Sequence, residues 1–157
     1  MRSPMLVFLA LAALACGSLR AHEQAGAACE PSTEASRSLV LSFYRQALVG
    51  KDIRAGFERH VAPGFVEHKP DVPGGTREDT IDFLEGLALE LPEARWEILR
   101  TVAEDDLVFV HARFFPVPGA QPYALADVFR VEDCSIAEHW DVVGPPREGQ
   151  PNTRSRF

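Results

Sequence analysis

The amino-acid sequence predicts one α+β domain in which helices pack on one face of an antiparallel sheet. Residues 33–91 place apolar side chains at helical spacing, whereas residues 96–143 form short stretches rich in Val, Phe and Ile. Short turns join these stretches, which favours an antiparallel meander that follows the helices. The 157 residues are 46% apolar and 25% charged, a composition typical of a single globular domain.

Residues 1–21 are predicted to form an export signal. Arg2 precedes an apolar run from Met5 to Cys16, and its 12 residues are short for a membrane span. A buried N-terminal helix is the alternative. Cleavage fits after Ala15 or after Ala21, and the sequence around Cys16 also resembles the end of a lipoprotein box, so a lipid anchor at Cys16 stays open.

Residues 22–33 are predicted to be a linker and residues 34–157 the folded domain of a secreted or periplasmic protein. The chain carries a net charge of −7, and loss of Arg2 and Arg20 with the signal would leave 14 basic against 23 acidic residues, or −9. An acidic domain without a cluster of Lys or Arg is a poor candidate for binding nucleic acid.

Two cysteines, Cys29 and Cys134, lie beyond the predicted signal. An oxidising compartment and an even count favour a disulfide between them. This bond would tie the N-terminal arm to the turn between the last two strands. Two separate thiols are the alternative.

The first half of the chain is predicted to contain three helices. Ser32 or Thr33 can cap a helix that runs to about Val49, and Asp52 can cap a short second helix that ends at Pro63-Gly64. The third helix is predicted to start at Thr76, with acids in its first turn, and to end at Pro92. The apolar face of the first helix comprises Leu39, Val40, Phe43, Ala47 and Leu48.

The second half is predicted to contain four strands, at residues 96–102, 107–115, 123–131 and 136–143. A short extended segment, residues 65–70, precedes the third helix. The polar, proline-rich tail from residue 144 to 157 is predicted to be irregular.

Asp127 is the strongest candidate for chemistry because it lies between apolar residues within a strand. An acid in that position is costly unless it is paired or used. An apolar cavity raises the pKa of a carboxyl group, which suits a general acid or base. His111 lies in the preceding strand, and it would share an interior with Asp127 if its face of that strand points to the helices. A structural acid and a core histidine are the alternatives.

His68 and Phe65 belong to the extended segment before a loop, where site residues are common. Trp140 could form the floor of a pocket or belong to the core. His68, His111 and Asp127 could also form a metal site, although closely spaced His or Cys pairs are absent from the sequence. The sequence lacks a nucleophile elbow, which argues against a serine hydrolase. It also lacks a glycine-rich phosphate loop, and we expect no metal and no organic cofactor.

Three segments of this sequence resemble the SnoaL-like polyketide cyclase family of the nuclear transport factor 2-like superfamily. They are Phe65-Val-Glu-His-Lys-Pro70, Leu107-Val-Phe-Val-His-Ala112, and the block that starts at Asp127 and contains Glu138-His139-Trp140-Asp141. The resemblance runs from about residue 36 to the C-terminus. It implies a curved antiparallel sheet that helices wrap into a cone around an apolar pocket, and a homodimer formed through the open sheet face.

The resemblance also implies an activity, intramolecular aldol condensation without metal or organic cofactor. Asp127 would be the acid/base, His111 its partner, and His68 a pocket residue. Lys69 departs from the usual Asn, Cys134 stands where a turn glycine is common, and export is unusual for a polyketide cyclase. The Cys134 departure fits the predicted disulfide, and the predicted export leaves the substrate class open, since a fold does not determine a function.

Two function hypotheses follow. The first is an exported, cofactor-independent acid/base catalyst of the aldol-condensation or isomerase type, acting on a small hydrophobic carbonyl compound. The second is a non-catalytic exported domain that binds a hydrophobic ligand or partner. The environment of Asp127 separates them, because a binding domain could pair this acid with Arg113 or Arg130.

Overall fold

The computed structural model describes residues 32–149, 151, 152 and 154–157. The predicted signal (1–21), almost all of the predicted linker (22–33), Cys16 and Cys29 lie outside these residues. Export, lipidation at Cys16 and a disulfide between Cys29 and Cys134 therefore stay predictions. No helix in the described part of the chain is long and apolar enough to cross a membrane.

The first predicted helix has two parts. Helix α1 spans Thr33–Phe43, and the Ser32 side chain caps it by accepting a hydrogen bond from the Ala35 backbone N–H at 3.1 Å. A π-helical segment, Tyr44–Val49, follows directly. The wider turn of a π-helix changes which side chains face inward, and such turns are frequent at functional sites.

Helix α2 spans Ile53–His60, and its predicted end was wrong. Pro63 and Gly64 do not terminate this helix but lie inside the next strand, β1. Proline is tolerated there because β1 is an edge strand of the sheet. Helix α3 spans Arg77–Glu90 and begins, as predicted, with a capping box between Thr76 and Asp79.

Five strands form one sheet in the order β1-β5-β4-β3-β2. Their bounds are β1 Val61–Glu67, β2 Arg95–Glu104, β3 Leu107–Phe115, β4 Tyr123–Glu132 and β5 Ser135–Gly144. The meander from β2 to β5 is antiparallel, as predicted, whereas β1 pairs with β5 in parallel. The sheet is therefore mixed, and the α+β cone with its helices on one sheet face is confirmed.

The core lies between the helices and one face of the sheet. Phe43 packs edge-on against Phe57 at 5.0 Å and against Phe129 at 5.9 Å, so aromatic contacts join α1, α2 and β4. On β3 the residues that point to the helices are Val108, Val110 and Ala112, all fully buried. The side chains of β3 between them point to the other face of the sheet.

A β-bulge in β5 determines which of its side chains reach the core. Arg130 pairs with Glu138 but Val131 pairs with Ile136, so Ala137 is an extra residue. The extra residue interrupts the alternation of faces. Ile136 and His139 both face the helices, although simple alternation places them on opposite faces.

Candidate active site

A cavity of about 340 Å³ opens between the helices and the inner face of the sheet. Most of its wall is apolar, including Phe65, Phe83, Leu84, Leu87, Trp96 and Phe114. A connected group of polar side chains interrupts this wall: Tyr44, Glu67, Lys69, Asp127, His139 and Asp141. Apolar walls with a few convergent polar groups are typical of small-molecule sites.

Asp127 lies on the cavity wall, as the sequence predicts, and is 6% exposed. Strand β4 aims it inward together with Leu125 and Phe129. The Tyr44 hydroxyl donates a hydrogen bond to its Oδ2 at 3.0 Å, and the Nε2 atom of His139 lies 3.5 Å from its Oδ1. The acid is thus held between a phenol and an imidazole.

His139 is held between two carboxylates. Its Nδ1 atom lies 2.9 Å from both carboxylate oxygens of Glu67, while its Nε2 faces Asp127. Its ring also stacks on Phe129 at 4.6 Å. Burial alone would lower the pKa of His139, but the hydrogen bonds to Asp127 and Glu67 outweigh it and raise this pKa to about 9. His139 is therefore an imidazolium at neutral pH.

Glu67 reaches His139 because β1 runs parallel to β5. These two residues are register partners, and the next backbone N–H, that of His68, donates to the His139 carbonyl at 2.9 Å. The Lys69 backbone N–H donates to Glu67 Oε1 at 2.9 Å. The Gly75 carbonyl accepts a hydrogen bond from the Glu67 backbone N–H at 2.8 Å. Gly75 has a φ of +66°, and a Cβ at this position would lie 2.7 Å from the Glu67 carbonyl oxygen, so the close approach requires glycine.

Lys69 forms the other ion pairs of the site. Its ammonium lies 2.9 Å from Asp141 Oδ2 and 3.1 Å from Asp71 Oδ2. Burial lowers the pKa of Lys69, but the hydrogen bonds to Asp141 and Asp71 outweigh this effect, and the pKa is raised above its usual value. Lys69 is therefore a permanent cation, which partly balances the acids of the cavity.

Tyr44 supplies a neutral donor. It is the first residue of the π-helical segment and is fully buried. Burial and the negative charge of Asp127 both raise the pKa of its hydroxyl well above the usual value. The phenol therefore keeps its proton and can donate a hydrogen bond at any physiological pH.

The predicted partnership between His111 and Asp127 was wrong. Asp127 lies opposite Val110 in the β3–β4 pair, so His111, one residue along, points to the outer face. There its ring faces Phe157 at 6.1 Å, and burial together with the positive charge of Arg100 lowers its pKa. Because β3 carries apolar residues at both sets of alternate positions, the sequence pattern alone did not assign its faces.

His68 and Trp140 also differ from expectation, whereas Phe65 lines the cavity as expected. Trp140 lies on the outer face of β5, and the ring of His68 stacks on it at 4.6 Å with an interplanar angle of 4°. His68 therefore contacts the outer face rather than Asp127. The metal site considered from His68, His111 and Asp127 is not formed, since two of the three side chains lie on the face opposite the third.

The arginines that could have paired with Asp127 have other partners. Arg113 lies 3.2 Å from Glu97, and Arg130 lies 2.7 Å from Glu138. Both pairs lie on the outer face of the sheet, across from the cavity. Within the part of the chain described by the structure, no group of three or more His, Cys, Asp or Glu side chains is arranged to hold a metal ion.

The profile of the SnoaL-like domain family matches residues 40–139, nearly two thirds of the chain. The chain belongs to the SnoaL-like domain family. The match covers the π-helical segment, β1, α3 and the strand that carries Asp127, and it ends within β5 at His139. No curated protein matches this sequence significantly.

Solved structures share the fold of this SnoaL-like domain. One is named "putative ketosteroid isomerase", from Kribbella flavida: TM-score 0.62, 19% identity, covering 81% of this chain and 93% of that one. A "putative SnoaL-like polyketide cyclase" from Jannaschia gives TM-score 0.59, 21% identity and coverages of 73% and 89%. AclR from Streptomyces galilaeus, "a putative hydroxylase", gives TM-score 0.57 and 23% identity, covering 72% of this chain and 81% of that one. The three names differ in reaction, so the likeness shows the fold and not the chemistry.

Sequence reasoning missed the three polar side chains that are linked to Asp127 directly or through His139 in this SnoaL-like domain: Tyr44, Glu67 and His139. Tyr44 follows Phe43 within the apolar region of the first helix, where a hydroxyl must find a partner once buried. Glu67 ends an apolar stretch and is another acid in a strand. His139 was considered, but the bulge at Ala137 that turns it inward has no clear sequence signal.

Proposed function

We propose that this SnoaL-like domain is an exported, cofactor-independent acid/base catalyst that acts on a small hydrophobic carbonyl compound. One observation carries the proposal. The carboxylate of Asp127 lies in the wall of an apolar cavity, beside a neutral phenol and an imidazolium. This combination supplies a proton acceptor and two hydrogen-bond donors in one water-poor site.

In the proposed reaction, Asp127 accepts a proton from the carbon next to a carbonyl group. The C–H electron pair moves into the carbonyl, and negative charge develops on its oxygen. Tyr44 or His139 can stabilise that oxygen as a donor once the substrate displaces it from Asp127. His139 is not the base, because its ring is already protonated.

Two outcomes complete the reaction without a cofactor. In an aldol condensation, the enolate carbon bonds to a second carbonyl carbon of the same substrate, and that carbonyl's oxygen takes the proton from Asp127. In an isomerisation, Asp127 returns the proton to a different carbon. Both leave the carboxylate as it began. The apolar residues Phe83, Leu87 and Trp96 would hold the hydrocarbon part of the substrate.

The proposed setting is the periplasm or the exterior of the cell, which rests on the signal-like residues 1–21. The proposed assembly is a homodimer through the outer face of the sheet. The exposure of Val102, Leu107 and Val142 on that face supports this assembly, since exposed apolar residues on one surface favour association.

The test follows exchange of the α-protons of a hydrophobic ketone, 4-phenylbutan-2-one, into D2O by proton NMR. Asp127→Asn keeps the shape of the side chain but removes the proton acceptor. We expect it to lower the enzyme-dependent exchange rate at least about 100-fold. Glu97→Gln makes the same change on the outer face and should keep the wild-type rate. Equal rates for wild type and Asp127→Asn would refute the proposed role.

The second candidate function is a binding domain with no chemistry. The observation in its favour is that both oxygens of Asp127 already have partners, Tyr44 and His139, so the carboxylate could be a satisfied structural acid. The same ketone separates the two functions. A binding domain would hold it, as seen by saturation-transfer NMR, yet would not accelerate exchange in the wild-type protein.

A further inference from the structure

Glu67 is a buried carboxylate for which the proposed reaction has no direct use. We propose that Glu67 is a positioning residue: it is the permanent counter-ion of His139, which allows Asp127 to gain and lose a proton while the imidazolium stays charged and fixed. This inference rests on the proposed function and concerns the same site. It is argued from the placement of the two carboxylates around one ring.

The two carboxylates contact opposite nitrogens of His139. Glu67 lies 2.9 Å from Nδ1 through both of its oxygens, whereas Asp127 lies 3.5 Å from Nε2. The Glu67 side chain is 2% exposed and that of His139 is 14% exposed. Bulk water therefore contributes little to balancing the charge of this ring.

The charges of the three groups explain why a second acid is needed. With Asp127 ionised, Asp127, Glu67 and His139 together carry −1. When Asp127 takes the substrate proton, Glu67 and His139 still sum to zero. Without Glu67, the same step would leave a buried imidazolium beside a neutral acid, which is costly. Asp127 would then be a poorer proton acceptor, or His139 would lose its proton.

The other charged groups near the ring do not replace Glu67. Asp141 is two residues along β5 and faces the same cavity, but Lys69 pairs with it at 2.9 Å. Lys69 pairs in addition with Asp71. Tyr44 donates its hydroxyl to Asp127 and stays neutral. Within the described residues, Glu67 is thus the acid that remains beside His139 once Asp127 is protonated.

Backbone contacts fix the position of Glu67. The parallel β1–β5 pairing sets it beside His139, and the Lys69 N–H holds its Oε1 at 2.9 Å. A fixed acceptor at Nδ1 determines the orientation of the ring, so that Nε2 is aimed at Asp127. In metal sites, an acid that holds a ligating histidine in place commonly contributes about 10- to 100-fold to affinity or activity, and we expect an effect of this size from Glu67.

The first test measures the protonation of His139 by ¹⁵N NMR at pH 7, with the signal assigned by comparison with His139→Gln. Asp127→Asn mimics the neutral, protonated acid. We expect His139 to remain an imidazolium in wild type and in Asp127→Asn, and to become neutral in the double variant with Glu67→Gln. Glu138→Gln changes an acid on the outer face of β5 and should leave the signal unchanged.

The second test measures exchange of the ketone across pH. Glu67→Gln should lower the rate about 10- to 100-fold, with a new pH dependence where His139 now titrates, and Glu67→Asp should restore part of the rate. A neutral His139 in Asp127→Asn, or an imidazolium in the double variant, would overturn the inference. If variants with Glu67→Gln do not fold, the protonation state of His139 in Asp127→Asn tests the inference by itself. Absence of exchange in wild type would instead reject the proposed function, whatever the NMR result.

Discussion

The hydroxyl of Tyr44 donates a 3.0 Å hydrogen bond to Asp127 across 83 positions of sequence. It joins the π-helical segment to the centre of the sheet. Both residues are buried, and both line the cavity. The bond therefore links the stability of the fold to the candidate chemistry, and the two effects can be measured on the same variant.

Replacement of Tyr44 with phenylalanine removes this bond and little else. We expect the free energy of unfolding to fall by about 1–3 kcal/mol, because a buried charged acceptor loses its donor. Urea denaturation followed by circular dichroism measures it. The control is Tyr123→Phe, in a tyrosine that also lines the cavity but whose hydroxyl has no hydrogen-bond partner among the described residues. Equal losses in the two variants would mean that the Tyr44–Asp127 bond contributes nothing specific.

The stability of the protein should depend on pH through His139. Its pKa is about 9 in the folded protein, above the ordinary value of 6.5. Because the pKa is raised on folding, protonated His139 contributes about 3 kcal/mol to the free energy of unfolding below pH 6.5. This contribution is lost as the pH rises through 9. Denaturation of wild type and His139→Gln at intervals from pH 6 to 10 isolates the effect. A constant difference between the two proteins across this range would contradict the prediction.

Filling the cavity should block ligand binding without unfolding the protein. Leu125 lies two residues before Asp127 on the same face of β4, so Leu125→Phe adds a ring beside the acid. We expect the affinity for 4-phenylbutan-2-one to fall at least about tenfold, while the free energy of unfolding falls by no more than about 3 kcal/mol, the usual cost of adding volume at a packed position. Val142→Phe places a similar ring on the exposed outer face. Unchanged affinity in Leu125→Phe would place the ligand elsewhere.

The outer-face position of His111 gives a prediction that contradicts its expected catalytic role. In His111→Ala the rate of ketone exchange should stay within about twofold of the wild-type rate. The reason is that the His111 side chain points away from the cavity, on the outer face of the sheet. The same assay applied to His139→Gln should show a large loss. A loss of activity in His111→Ala comparable to that in Asp127→Asn would mean that the two faces of β3 are assigned incorrectly.

Much of the fold could be predicted from local patterns. The capping box at Thr76, the helix start at Ser32 and the four-strand meander each depend on residues close in sequence, and each is observed within a few positions. The end of α2 was missed because Pro63 is a helix breaker by propensity, yet an edge strand accepts it.

The site was harder to predict because it depends on the faces of strands. Asp127 was found because an acid between apolar neighbours is unusual in any register. Its partners were not found, since β3 is apolar on both faces and a single extra residue, Ala137, reverses the alternation in β5. Glu67 depends on a parallel pairing that joins residues 72 positions apart, and no local pattern encodes that contact.

The parallel pairing of β1 with β5 predicts a late step in the assembly of the site. The hairpins from β2 to β5 close through short turns, whereas β1 must reach β5 across the whole of α3 and three strands. Contacts of high sequence separation carry a larger loop-closure cost and tend to form late. We therefore expect Asp127 and His139 to come together with the hairpins, and Glu67 to join them when β1 closes the edge of the sheet. Opening of that edge strand alone would remove the counter-ion of His139 while the rest of the sheet stays folded.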